Sequence, residues 1–210
     1  MLLKRGIIFV LFILIAIIVY AASSGSNWER ISPDKDISTQ WTPTSAGNNF
    51  DEIDEGIENA DDASTVVNAS ISSGSTIKTD FIRLANTTAM FNNKTRTLNV
   101  TVRRNMIGKG GSDTVNLYIT PIINNTPLES ASETVGTTTG WTNVNFWMAS
   151  WINKNYTKAQ IDNMSINYTA TISISGKAHT VQLLLTIIDV NMTFTTTSTS
   201  TTSTSTSTST

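Results

Sequence analysis

Seven of the sixteen acidic residues fall within twelve positions, Asp51 to Asp62, read Asp-Glu-Ile-Asp-Glu-Gly-Ile-Glu-Asn-Ala-Asp-Asp. Carboxylates this close repel one another unless a cation is bound, and calcium takes about six to eight oxygen ligands. The spacing is not that of an EF-hand, because Ile53 stands at a ligand position and no helical pattern flanks the stretch. A calcium site here would use Asp51, Asp54, Asp61 and Asp62, with backbone carbonyls completing the shell. The other reading of the same residues is a solvated acidic loop. Glycoside hydrolysis would need two carboxyl groups facing each other about 5 to 10 Å apart, which one local run does not supply. His179 is the only histidine and has no acidic partner identifiable in the sequence, so a structural or surface role is expected for it. No catalytic residue, and no enzymatic activity, is expected.

A second constellation is Trp141, Asn143, Asn145 and Trp147, which share one parity of a strand-like segment. On one face of a strand they would present two indoles and two amides, a combination suited to stacking on sugar rings and bonding sugar hydroxyls. The alternative is that the indoles pack under a loop or into the core. Nine Asn-x-Ser/Thr sequons are candidate glycosylation sites: Asn68, Asn86, Asn93, Asn99, Asn124, Asn155, Asn163, Asn167 and Asn191. Those at Asn99 and Asn167 lie on polar faces of strands, so occupancy there would mark faces turned to solvent.

Strands must position these groups. From Thr65 onward apolar and polar residues alternate with period two. Val66, Ala69 and Ile71 mark a first strand, Ile77 to Leu84 a second, and Leu98, Val100 and Val102 a third. The glycine-rich stretch Asn105 to Ser112 then leads to Val115, Leu117 and Ile119, a hairpin with a long tip. It is not a phosphate loop, since a strand and not a helix follows. Val144, Phe146 and Met148 alternate with the Trp/Asn set, residues 152–163 read as a loop with one helical turn near Lys158 to Asp162, and Met164 to Ile174 alternates strictly. In the last strand apolar residues change parity between Ile187 and Val190, which predicts a β-bulge at Ile188 or Asp189. Residues 23–50 read as an irregular lead-in with one short edge strand near Ser38 to Thr42, and the sandwich domain as 51–194, or from near 38.

The two ends differ from this body. Residues 1–22 carry Lys4 and Arg5, an apolar run from Ile7 to Val19, then Tyr20, Ala21 and Ala22. This is the pattern of a secretory signal peptide, shorter than the roughly 20 apolar residues of a membrane-spanning helix; a retained membrane anchor is the competing reading. Residues 195–210 are only Thr and Ser and are expected to be a disordered stalk or linker, because nothing in them can offset the entropy of ordering. The chain has no cysteine, which excludes disulfides and thiolate chemistry. Without Lys4 and Arg5 it holds twelve basic against sixteen acidic residues, and nucleic acid is therefore not an expected partner.

Several strands of this spacing without a long helix predict an all-β, antiparallel jelly-roll β-sandwich. A resemblance agrees. Trp41, Gly47 to Glu55, Asp61 to Ser64, Val100 to Arg103 and Trp141-Thr142, in that order, resemble jelly-roll domains of secreted and phage-encoded surface proteins, which are similar in fold to carbohydrate-binding modules. The resemblance implies an extracellular, cell-surface or virion-associated module for adhesion, carbohydrate binding or surface structure, with glycans or surface proteins as partners; the membrane is an expected partner only through residues 1–22, if they are retained. Lys4-Arg5-Gly6 before the apolar run is also similar to the processing site of archaeal type IV pilins, and a pilin-like filament subunit is the second reading. The mass of the mature protein separates them: a start at Ile7 means pilin processing, a start near Ala22 or Ser23 ordinary secretion. A glycoside-acting enzyme is a distant third.

Overall fold

The computed structural model describes residues 27–43, 48–49, 53–54, 66–86, 94–152 and 154–194. Residues 1–22, read above as a signal peptide, and the Thr/Ser tract 195–210 lie outside them. The strands are β1 (Asn27–Ile31), β2 (Pro33–Ser38), β3 (Thr42–Pro43), β4 (Val67–Ile71), β5 (Ser75–Leu84), β6 (Lys94–Ile107), β7 (Thr114–Ile123), β8 (Thr126–Pro127), β9 (Ala131–Thr134), β10 (Thr142–Phe146), β11 (Lys154–Asn155), β12 (Ser165–Ser173) and β13 (Val181–Phe194). One helical turn, α1 (Lys158–Asp162), opens on a Thr157/Gln160 capping box at the expected place.

Strand order defines the architecture. One sheet runs β10-β6-β13-β4 and the other β5-β12-β7-β9, all antiparallel. Numbering these eight strands by chain order gives 1-8-3-6 facing 2-7-4-5, the pair of nested Greek keys that makes a jelly roll. Each sheet is built around a long central strand, β13 or β12, whose alternating side chains bury one face. Leu98, Val100, Val102 and Met106 of β6 meet Val115, Leu117 and Ile119 of β7 and Ile166, Tyr168, Ala170 and Ile172 of β12 in one core. Burying each large aliphatic side chain contributes roughly 1.5–3 kcal/mol, which lets a chain without disulfides fold.

Two sequence expectations are corrected. The lead-in is not irregular: β1 pairs β13, β2 pairs β5 and β3 pairs β4, so residues 27–43 extend both sheets. These strands are short, polar and edge-placed, and Pro33 opens β2; the neighbouring long strands organise them, not their own periodicity. The bulge in β13 falls at Thr186, between Leu185 and Ile187 in the register with β6, not at Ile188 or Asp189. Ile187 pairs Arg103 on the outer face yet is fully buried, which made it read as a core residue. β13 pairs β4 below the bulge and β1 above it, and at the gap between them Ile188 N–H donates to the Ile53 carbonyl at 3.0 Å. Ile53 is fully buried, so the acidic stretch is tethered to the core by an apolar anchor.

Candidate ligand-binding site

β10 is the edge strand of its sheet, registered on β6 so that Asn143 opposes Arg103 and Asn145 opposes Thr101. Val144 and Phe146 turn inward, and Asn143 and Asn145 are exposed on the outer face. Thr101 Oγ1 donates to Asn145 Oδ1 at 2.7 Å, and Arg103 Nη1 donates to Asn143 Oδ1 at 3.1 Å. Each amide is thus oriented through its oxygen. The Arg103 guanidinium also stands 5.9 Å from the centre of the half-buried Trp141 ring, a cation–π contact that covers one face of that indole.

Trp147 is different. It lies just past the end of β10, is 62% exposed, and with Asn145, Phe146 and Met148 lines a cleft of about 290 Å³ whose other wall is Ser130, Ala131 and Ser132. The two tryptophans are six positions apart, roughly 20 Å at about 3.3 Å per residue of extended chain. The structure therefore brings Asn145 and Trp147 to one cleft, keeps Asn143 on the adjoining face, and places Trp141 at the far end under Arg103. Ser130 and Ser132 were not expected in the site. They flank or belong to β9, whose four residues Ala-Ser-Glu-Thr carry too short a pattern to read as a strand.

Of the expected calcium ligands, Asp54 is exposed beside the Ile53 anchor, and Asp51, Asp61 and Asp62 lie outside the described residues. Among the described residues no three acidic, histidine or cysteine groups converge. Asn49, two positions before Asp51, is almost completely buried, and its Oδ1 has no hydrogen-bond partner among the described residues. Its backbone N–H donates to Asp36 Oδ2 at 2.7 Å and its Nδ2 donates to Asp80 and to the Trp41 carbonyl.

Buried carboxylates elsewhere hold the fold. Asp80 points into the core and accepts from Gln40 N–H, Trp41 N–H, Asn49 Nδ2 and the Tyr168 hydroxyl. Burial raises its pKa above the ordinary value despite these four donors. Glu133 of β9 and Arg104 of β6 form an ion pair between the two sheets, with two of the three guanidinium nitrogens, Nε and Nη2, on the carboxylate. His179 has the acidic partner its sequence context did not reveal: Nε2 is 2.7 Å from Asp113 Oδ2, across 66 residues of chain.

The sequons divide by environment. Asn86, Asn99, Asn124, Asn155 and Asn163 are exposed, Asn68, Asn167 and Asn191 are half-buried, and Asn93 is outside the described residues. Asn163 and Asn191 spend their Nδ2, the glycan-bearing atom, on Ala159 O and Asp189 Oδ2. Asn99 and Asn167 both sit on outer sheet faces, as their parity predicts.

No protein-family model matches the chain, and no curated protein is significantly similar to it. Among solved structures it is similar to a carbohydrate-binding module of the β-sandwich superfamily with promiscuous specificity (10% identity, 80% of this chain and 58% of that one, TM-score 0.40). It is also similar to a structure of infectious bursal disease virus, Gt strain (13% identity, 81% of this chain and 33% of that one, TM-score 0.31). A third is the family 11 carbohydrate-binding module of a cellulosomal cellulase from Clostridium thermocellum (12% identity, 63% and 91% covered, TM-score 0.28). The chain spans 58% and 33% of the first two proteins' lengths. The jelly-roll assignment rests on the strand order.

Proposed function

We propose that this chain is an exported, non-enzymatic binding module displayed at a cell or virion surface, and that it takes carbohydrate at the cleft between β9 and β10. One observation carries the reading: an indole left 62% exposed beside a cleft whose other polar groups are hydroxyls and an oriented amide. A tryptophan this exposed is informative in a way that a lone exposed leucine is not. Its free face suits an apolar sugar face, while Asn145 Nδ2, Ser130 and Ser132 suit hydroxyls. Among the described residues no charged side chain lines the cleft, which favours a neutral glycan over a sulfated or uronic one.

Glycan-array binding by the wild type and by Trp147→Ala tests this. The expected result is binding reduced at least about tenfold, or about 1.4 kcal/mol, with stability changed by less than about 0.5 kcal/mol because the side chain is exposed. Trp141→Ala should matter less, since Arg103 already occupies one face of that ring. Undiminished binding in Trp147→Ala, or no retention of any glycan by the wild type, sinks the proposal. The acidic stretch is proposed as a calcium staple, supported by Asn49 Oδ1, two positions before Asp51 in the chain and without a hydrogen-bond partner among the described residues. A melting temperature unmoved by millimolar calcium would remove that part.

A further inference from the structure

We propose that His179 and Asp113 form an acid-strengthened clasp, which pins the β6–β7 loop to the β12–β13 loop and loosens when the imidazole gives up its second proton. The geometry at the ring is the starting point. Nε2 faces Asp113 Oδ2 at 2.7 Å, and Nδ1 faces the Lys177 carbonyl oxygen at 2.8 Å. A carboxylate and a carbonyl only accept. A neutral imidazole has one N–H and can satisfy one of them; the imidazolium has two and satisfies both.

Asp113 extends the clasp to both loops. Its side chain is fully buried, with Oδ2 also accepting Gly110 N–H at 2.6 Å and Oδ1 accepting Ser175 N–H at 2.9 Å. The loops are in close apposition besides: a Cβ on Gly108, whose φ is +75°, would lie 2.1 Å from the Thr180 carbonyl oxygen. Asp113 precedes Thr114 and Ser175 follows Ser173 by two, so the clasp also fixes the strand ends lining a shallow cleft of about 360 Å³ with Ser75 and Ile77.

Beyond His179 and Asp113, the charged residues of the two loops are Lys109, half-buried, and Lys177, exposed. The flanking strand ends Ile107, Thr114, Ser173 and Val181, and the Ser72–Ser75 turn whose Gly74 carbonyl receives Ile174 N–H, are uncharged. The ring thus faces one titratable partner. The bonds to Lys177 O and Asp113 hold the imidazole above its ordinary 6.5. A histidine raised in the folded state stabilises fully below 6.5, and that stabilisation is lost as pH rises through the folded value.

Because His179 is the only histidine, its ring nitrogens are directly assignable by NMR in the full-length chain. The imidazole is expected to titrate above 6.5, with both nitrogens protonated at pH 6. Amide protection factors at Gly110 and Ser175 should fall at least about threefold between pH 6 and pH 9, and the fall should be absent in His179→Gln, which donates at one point at every pH. Titration at or below 6.5 overturns the proposal. So does protection that stays constant in the wild type, or a fall that persists in His179→Gln; the wild-type titration decides alone if the variant does not fold.

Discussion

Asp80 and Asp113 are the same residue type used at two places, each buried and each accepting from several donors, and their carboxyl groups are displaced in opposite directions. Asp80 faces the core from β5, beneath Trp41 and Tyr168, whose rings meet edge to face at 5.3 Å. Four donors surround it, yet desolvation outweighs them and raises its pKa. Asp113 sits at the end of the sandwich, where the Ser175 N–H, the Gly110 N–H and the His179 ring lower its pKa against a smaller burial effect. The count of hydrogen bonds does not decide the sign. What decides it is how much water was removed to make them. Tyr168 belongs to the same account: burial first, then the Asp80 charge, push its hydroxyl well above 10, so it stays a donor.

The largest effect expected from breaking this comparison is at Asp80. Asp80→Ala leaves Gln40, Trp41, Asn49 and Tyr168 donors without an acceptor, and should cost about 3–5 kcal/mol. Asp80→Asn keeps the shape but turns one acceptor into a donor among donors, and should cost about 1–3 kcal/mol. Urea midpoints at unchanged m-value measure both. A loss below about 1 kcal/mol for the alanine would mean that Gln40, Trp41 and Asn49 are held by packing alone. Next in size is Gly108→Ala at the clasp end, where a left-handed φ and the Thr180 carbonyl both oppose a Cβ. About 2 kcal/mol is expected by the same measurement.

The sequence made the long strands legible because each buries one face over many residues; β6 from Leu98 onward, β7 and β12 follow their alternation. In β5 the parity was ambiguous. Ile77 and Phe81 point one way and Ile82 and Leu84 the other, and only the structure shows that Asp80 shares the inward parity of Ile82 and Leu84. Residues 27–38 and 131–134 form strands through pairing with distant partners, a cause no local pattern carries. The site was half visible for the same reason. Asn145 of β10 and Trp147 just past its end are two apart in the chain, while Ser130 and Ser132 reach them only when the two sheets close. Asp113 and His179 likewise meet because β6–β7 and β12–β13 turn at the same end of the jelly roll.

The smallest effect is also the sharpest test of opposite signs. Asp113, lowered in the folded state, contributes stability that is present above the ordinary 3.8 and is lost as pH falls through its folded value. Asp80, raised, does the reverse: what it contributes is present below 3.8 and is lost as pH rises through its folded value. In the wild type the two oppose each other on either side of 3.8, Asp80 acting above it and Asp113 below it. Replacing each by asparagine removes one side of the opposition. Asp113→Asn should therefore flatten the acid fall in urea midpoint relative to wild type, and Asp80→Asn should steepen it, whatever each does to stability at neutral pH. If both substitutions tilt the acid limb the same way, the two carboxylates do not differ as their surroundings require, and desolvation is not what separates them.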